Sequence, residues 1–198
     1  EAGACGELVY DIIRHLTPID AEIALPLYVA IATDTGGFQF SNTTAYTHIV
    51  AAALMETGID YRTVNKVFFR TKTRKRLALE ADMLTNLEYF DRERVAFLYV
   101  PRSLMARLQA TESDAEELSS LGAQIQGVDC AVTFRELGEG EWKLSVRTGE
   151  RVNATEVCRL MGGGGHARAA GCTVKADLSE VKRRCLAAIA ANAADFEG

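Results

Sequence analysis

The spacing of apolar residues predicts helices along the first part of the chain. Between residues 5 and 16 they recur every four positions, which indicates an amphipathic helix that ends at Thr17-Pro18. The stripe consists of Leu8, Ile12 and Leu16. The same four-residue spacing favours a second helix over residues 20–33, capped by Asp20 and tolerating Pro26, although residues 28–31 also fit a buried strand.

Two further helical segments follow before the pattern changes. Residues 41–44 are Ser-Asn-Thr-Thr, which can cap a helix ending near Gly58, and one or two helices are expected from Tyr61 to Tyr89. After Asp91 the apolar residues become β-branched and aromatic, and we expect a second domain to begin there.

The second domain alternates strands and helices. We expect strands at 95–100, 130–135, 142–148 and 172–175. Gly138 and Gly140 between the middle two favour an antiparallel hairpin. Helices are predicted from a Ser113–Glu116 capping box through Ile125, from Asn153 to Leu160, and from Leu178 to Ala191. The sequence therefore predicts an α/β fold, with a mainly helical part followed by a mixed sheet.

Composition and charge narrow the classes of function. The 198 residues carry a net charge of -5, which argues against a protein that coats long nucleic acids such as DNA, so a site for a polyanion has to be local. The five cysteines contain no C-x-x-C pair and indicate reduced, mostly buried thiols. Residues 25–32 form the longest apolar run, too short to cross a bilayer, and no leader peptide precedes it, so we expect a cytoplasmic protein without a membrane partner.

A basic run occupies residues 70–76, with cations at Arg70, Lys72, Arg74, Lys75 and Arg76. It fits either a patch for a phosphate backbone or a solvated helix face. Acidic residues follow within a few positions, which favours the solvated face, and the run also suits a tether between domains.

The clearest candidate for chemistry is a run of four glycines, 162–165, followed by His166 and Arg168. Glycine backbone N–H groups can approach an anion without obstruction, so we expect contact with a phosphate, the alternative being a flexible turn. Arg147, at the end of a predicted strand, could meet the same anion or be a surface residue. Arg135 on the neighbouring strand could add a second cation or form an ion pair with Glu136 or Glu139.

An acidic residue stands in a second glycine-containing segment. Asp34 lies in Thr33-Asp34-Thr35-Gly36-Gly37, and its carboxylate suits a hard divalent cation such as manganese or magnesium. Aspartate in such a loop also serves commonly as a turn residue that bonds its own backbone.

Together these segments resemble a known family. Residues 161–166 with Ala169-Ala170-Gly171 resemble the glycine-rich signature of the DHH-associated C-terminal domain, and residues 144–148 resemble its Ser-x-Arg-Ser strand, with Thr148 in place of the last serine. Residues 33–38 resemble the fourth motif of the DHH phosphoesterase domain, and residues 2–8 the segment after its Asp-His-His motif. The group most similar is the NrnA-type group of bacterial oligoribonucleases and 3'-phosphoadenosine 5'-phosphate (pAp) phosphatases.

The resemblance implies a domain layout and site roles. Residues 1–70 would be the C-terminal part of a DHH domain, 71–92 a helical linker, and 93–198 the DHH-associated substrate-binding domain. Asp34 would be a catalytic residue that ligates one of two manganese ions. A second set of residues would hold the substrate phosphate: Arg147, Thr148, Gly163, Gly164, Gly165 and His166.

The implied function is manganese-dependent hydrolysis of short oligoribonucleotides or pAp, in a family that also includes cyclic dinucleotide phosphodiesterases and allows a homodimer. The alternative is a non-catalytic nucleotide-binding or regulatory module. An Asp-His-His triplet and the family's Asp-x-Asp segment are missing from residues 1–198, and the chain starts at Glu1 rather than at methionine. We therefore interpret the chain as an N-terminally shortened piece that lacks hydrolytic activity by itself.

Overall fold

The computed structural model describes residues 2–115 and 118–193 and divides the chain into two compact units, Glu1–Lys72 and Thr73–Gly198. The described residues of unit 1 form helices and turns, whereas unit 2 is built on a six-stranded sheet. The predicted α/β fold is confirmed. In the described part of the chain, no helix has the length and apolar character needed to cross a membrane.

Unit 1 contains four α-helices and a π-helical turn. Their bounds are α1 Cys5–Ile13, α2 Ala21–Asp34, α3 Ala45–Glu56, α4 Tyr61–Asn65 and the π-helical turn Lys66–Arg70. Capping explains where the longer helices begin: the Asp20 carboxylate accepts two backbone N–H bonds at the start of α2, and Thr44 caps α3 reciprocally with Thr47. Pro26 is accommodated inside α2, as predicted.

Helix α1 packs through a different face from the one its apolar stripe suggested. Leu8, Ile12 and Leu16 are 54%, 61% and 77% exposed. The buried side of α1 carries Gly6, which lies against Ile31 closely enough to exclude a larger residue, and the buried Glu7, which accepts bonds from Gly3 N and Thr47 Oγ1. Periodicity located this helix correctly, but not the face that meets the core.

Unit 2 places its sheet between two layers of helices and turns. The strand order is β1-β2-β3-β4-β6-β5, antiparallel throughout except for the β2–β3 pair. The strands are β1 Glu88–Phe90, β2 Val95–Val100, β3 Cys130–Gly138, β4 Glu141–Thr148, β5 Gly164–His166 and β6 Ala169–Lys175. The helices are α5 Arg74–Thr85, α6 Arg102–Leu108, α7 Glu112–Ala115, α8 Ala154–Arg159 and α9 Leu178–Asn192. The predicted β3–β4 hairpin and the Asn153 cap of α8 are confirmed.

Separate apolar clusters cover the two faces of this sheet. On one face, strand residues such as Phe97, Phe134 and Leu144 pack with α8 and α9 in a cluster that includes four of the five cysteines. On the other face, Ala96 and Leu98 of β2 pack with the buried residues of α5 and α6. This second cluster is the smaller one, and it lies over β2 and β3.

Two predicted elements differ from the structure. Residues 118–125 form two short 3₁₀ turns rather than a helix, because Gly122 packs directly onto Leu98 and Ala131; Glu116 of the predicted capping box lies outside the described residues. The end of the glycine run is the edge strand β5 rather than a loop. Its pairing with β6 depends on a distant segment, which local pattern does not reveal.

Candidate functional site

One half of a sheet face in unit 2 is open and brings together three of the six predicted phosphate-binding residues, Arg147, Gly164 and His166. Arg147 on β4 pairs with Ala169 on β6, which pairs with His166 on β5. Directly paired residues of antiparallel strands project to the same face, so the arginine and the histidine stand on either side of an alanine. The adjacent row consists of Ser145, Gly171 and Gly164.

The shape of this open face follows from its small residues. The helices and turns on this side pack mainly over β2 and β3, while on β4, β6 and β5 the same face is partly or fully exposed. Ala169, Gly171 and Gly164 leave a shallow floor between the Arg147 guanidinium and the His166 imidazole. Such a floor can accept a flat ligand group, with polar side chains at its margins.

Arg147 is a half-buried cation held by neutral groups. Its guanidinium donates to Ser119 Oγ at 3.0 Å and to the Val146 carbonyl at 3.1 Å. Burial lowers the pKa of this guanidinium from its ordinary value. No carboxylate lies within 4.0 Å of it among the residues that the structure describes. A partly desolvated cation without a counter-ion is suited to receive an anionic ligand.

Thr148 does not lie on the open sheet face, because side chains alternate between the two faces along a strand. It follows Arg147 directly and therefore projects to the opposite face. Its hydroxyl donates to the Ala167 carbonyl at 3.2 Å, and its N–H donates to the Arg168 carbonyl at 3.1 Å. The structure thus gives Thr148 a role in holding the β5–β6 turn.

Three of the four glycines are required, for different reasons. Gly162 adopts a φ of 82° where the chain leaves α8. A Cβ on Gly163 would lie 2.2 Å from the Gly171 carbonyl, and one on Gly165 2.6 Å from Ala170 Cα, so both positions need the close approach that glycine allows. Gly164 has neither constraint: a Cβ there would meet nothing within 4 Å.

Two further residues of this face were missed by sequence reasoning. Lys143 lies two and four positions before Ser145 and Arg147 on β4, so strand alternation alone could have placed it on the same face. Thr133 pairs with Ser145, and its buried hydroxyl lacks a hydrogen-bond partner in the described structure. Arg135, the proposed second cation, forms an ion pair with Glu112 instead of Glu136 or Glu139.

Asp34 belongs to unit 1 and is the last residue of α2, not a loop residue. It is exposed, and Thr35 rather than Asp34 supplies the side-chain bonds of the following turn, donating to Ile31 O and accepting from Phe38 N. Within residues 2–115 and 118–193, no three His, Cys, Asp or Glu side chains form a group that could hold a metal ion. Asp34 thus offers one carboxylate, and the described residues do not assemble a two-metal centre around it.

Comparison with known proteins gives the same family that the glycine-rich motif indicated. The model of the DHHA1 domain matches residues 93–195, just over half of the chain. The chain is 32% identical over 189 residues to the bifunctional oligoribonuclease and PAP phosphatase NrnA of Thermus thermophilus, covering 94% of this chain and 56% of the relative. It is 26% identical to the probable NrnA of Streptococcus mutans, covering 86% and 54%.

A further relative and a solved structure also match this chain. An A-adding tRNA nucleotidyltransferase of Geobacter sulfurreducens is 27% identical over 175 residues, which are 86% of this chain and 19% of that protein. The crystal structure of an exopolyphosphatase-related protein from Bacteroides fragilis superimposes with a TM-score of 0.85 at 22% identity, over 94% of this chain and 56% of that one, and shows the same fold. The chain spans about half the length of the NrnA relatives. It belongs to the DHHA1 family, and the relatives that it resembles along most of its length include NrnA-type phosphoesterases.

Proposed function

We propose that this chain is the substrate-binding portion of a DHH-family, manganese-dependent phosphoesterase that hydrolyses short oligoribonucleotides, pAp or both. The names of the NrnA relatives support this substrate class. The observation that carries the proposal is Arg147, a half-buried guanidinium that has no carboxylate partner among the described residues and lies at an open face of small residues.

In this proposal the sheet face holds the phosphate-bearing end of the ligand. Arg147 binds a phosphate oxygen through a charge-assisted hydrogen bond, and His166 across Ala169 contacts the same end from β5. Gly164 and Gly171 leave room for a sugar or base to lie flat on the strands. The backbone around Gly163 and Gly165 keeps β5 in place, so their contribution to binding is positional.

Manganese is part of this proposal only for the reaction in the longer protein. Two ions need several carboxylate and imidazole ligands, and the described residues bring Asp34 alone. No catalytic step can therefore be derived from the residues of this chain. What they support is ligand binding, with Asp34 as a proposed contributor to a centre completed elsewhere.

The test is calorimetric titration of the 198-residue chain with pAp and with a ribodinucleotide. Arg147→Ala and His166→Ala should each weaken binding about ten- to a hundredfold, which corresponds to ~1.5–3 kcal/mol for a bond to a charged group. Arg159→Ala is the matched control, because Arg159 is exposed and paired with Glu156. Equal affinity of all three variants would show that the phosphate site is assigned wrongly.

A second candidate function is a nucleotide-binding module without hydrolytic activity. The similarity to the A-adding tRNA nucleotidyltransferase favours it, because that protein is named for nucleotide addition to tRNA and not for phosphoester hydrolysis. Sequence preceding Glu1 in the gene distinguishes the two: Asp-His-His and Asp-x-Asp motifs there would support the phosphoesterase, and a gene without them would support the module. A cyclic dinucleotide added to the same titration tests the remaining alternative substrate.

A further inference from the structure

Unit 1 contains a groove that the proposed phosphate site does not use. It has a volume of about 560 Å³ and is formed by α4 and the π-helical turn that continues it. Its lining is polar and aromatic, with three cations and no carboxylate: Tyr61, Arg62, Asn65, Lys66, Arg70 and Thr71.

The three cations share one side of this helical segment. Arg62, Lys66 and Arg70 are spaced by four residues, and each α-helical step of four drifts by about 40° around the axis. The wider turn of the π-helix over Lys66–Arg70 drifts in the opposite sense, so Arg70 returns towards the line of Arg62. From Arg62 to Lys66 the α-helix advances about 6 Å, a spacing comparable to that of neighbouring phosphates in an extended single strand.

None of these cations forms an ion pair in the described part of the chain, although the Asp60 charge acts on Arg62 from a greater distance. All three are exposed, and the described part of the chain places no carboxylate within 4.0 Å of any of them. The nearest acidic residue in sequence, Asp60, accepts bonds from the Thr63 N–H and hydroxyl. In a chain with a net charge of -5, this groove is therefore a local positive site.

Tyr61 places an aromatic ring beside the cations. The ring lines the groove, with the Arg62 guanidinium carbon 5.9 Å from its centroid. A ring next to cations is typical of surfaces on which a base of a single strand stacks while its phosphates are held.

The π-helical turn that helps to form the groove also contacts the segment that the family resemblance connects with catalysis. Its Phe69 lies over Gly37, where a Cβ would be 3.6 Å from the ring, and Gly37 is three residues after Asp34. We propose that the groove binds the phosphodiester backbone of a single-stranded oligoribonucleotide, with Arg62, Lys66 and Arg70 on successive phosphates and Tyr61 against a base. The inference rests on the proposed function for its ligand class, and adds a second binding region to it.

The test compares ligands of different length on the 198-residue chain. Fluorescein-labelled oligoadenylates of two to seven nucleotides are titrated by anisotropy against the wild type and against a triple variant, Arg62→Gln, Lys66→Gln and Arg70→Gln. We expect the heptamer to bind at least tenfold more weakly to the variant, and the slope of log K against log salt to decrease in magnitude by about 2, since each lost phosphate contact contributes about 0.7. Binding of pAp should be unchanged.

A matched variant controls for net charge. It removes three ion-paired arginines of unit 2 instead, with the substitutions Arg107→Gln, Arg183→Gln and Arg184→Gln. The proposed binding by the groove would be overturned if both triple variants bound the heptamer equally weakly, or if the groove variant bound it as tightly as the wild type. Displacement of the heptamer by polyglutamate at equal charge would also overturn it. Thermal unfolding of each variant establishes that it is folded before titration.

The outcomes separate this inference from the proposed function. If the groove variant loses heptamer binding, and neither the wild type nor this variant binds pAp, the phosphate site on the sheet is rejected and the groove is kept. Loss of pAp binding in His166→Ala, with the heptamer unaffected by the groove substitutions, would keep the phosphate site and reject the groove.

Discussion

Neither the backbone conformation nor the packing of the chain requires a glycine at position 164. Its φ is not positive and a Cβ would find open space on the sheet face, whereas Gly163 has no room for one. We predict that Gly164→Ala changes the free energy of unfolding by less than about 1 kcal/mol, because alanine fits there and restricts the unfolded chain. If a ligand lies on this face, the added methyl group should weaken pAp binding at least tenfold. Chemical denaturation and calorimetry measure the two effects.

Gly163→Ala is the comparison for this prediction. Its Cβ would overlap the Gly171 carbonyl and Cys172, so β5 would have to move away from β6. We expect it to lower stability by ~2 kcal/mol or more, within the range of overpacked sites. If Gly164→Ala binds pAp as tightly as the wild type, the open face is not where the ligand lies.

At the scale of elements, one carboxylate connects α5 to the turn before α7. Asp114 accepts the Thr73 hydroxyl at 2.6 Å and the Thr111 N–H and hydroxyl at 2.9 Å each, and Thr73 in turn caps α5. These hydrogen bonds, with that from Thr73 the largest cause, lower the pKa of Asp114 to about 2. The carboxylate therefore stabilises the folded state above its unfolded pKa of about 3.9, and that stabilisation is lost as the pH falls towards 2.

Asp114→Asn should remove this part of the pH dependence. We expect the wild type to lose more of its unfolding free energy than the variant between about pH 4 and pH 2, while the variant is already less stable at pH 7. Urea denaturation at several pH values measures the difference. Asp60→Asn is the comparison in unit 1. Bonds from Thr63 lower the pKa of the Asp60 carboxyl as well, but this residue does not belong to the α5–α7 connection. Parallel pH profiles for the wild type and Asp114→Asn would contradict the role given to Asp114.

The elements also show what the sequence could and could not reveal. Helix α2 and the β3–β4 hairpin follow from signals within each segment, namely the Asp20 cap and the glycines of the turn. The π-helical turn and β5 were not predicted by such signals, and β5 exists only through its pairing with β6. The same division applies to the site. Glycine and arginine motifs indicated its residues, whereas only the register shows that His166 and Gly164 lie on the same face as Arg147.

On the scale of the whole molecule, the two units carry unequal parts of the proposed function. Unit 2 offers a sheet face on which Arg147 is bonded to neutral groups, while unit 1 offers one exposed carboxylate at the end of α2. The described residues do not assemble a two-metal centre, so the proposed hydrolysis needs ligands that they do not provide.

We therefore predict that the 198-residue chain binds pAp weakly and does not hydrolyse it. Titration with Mn²⁺ alone should give no site tighter than millimolar, since a single exposed carboxylate competes poorly with water for a divalent ion. Asp34→Asn should then leave both Mn²⁺ and pAp binding unchanged in this chain, whereas Arg147→Ala should weaken pAp binding. Chromatography of reaction products measures hydrolysis. Manganese-dependent cleavage of pAp or a dinucleotide that is lost in Asp34→Asn would mean that a complete catalytic centre exists within these residues.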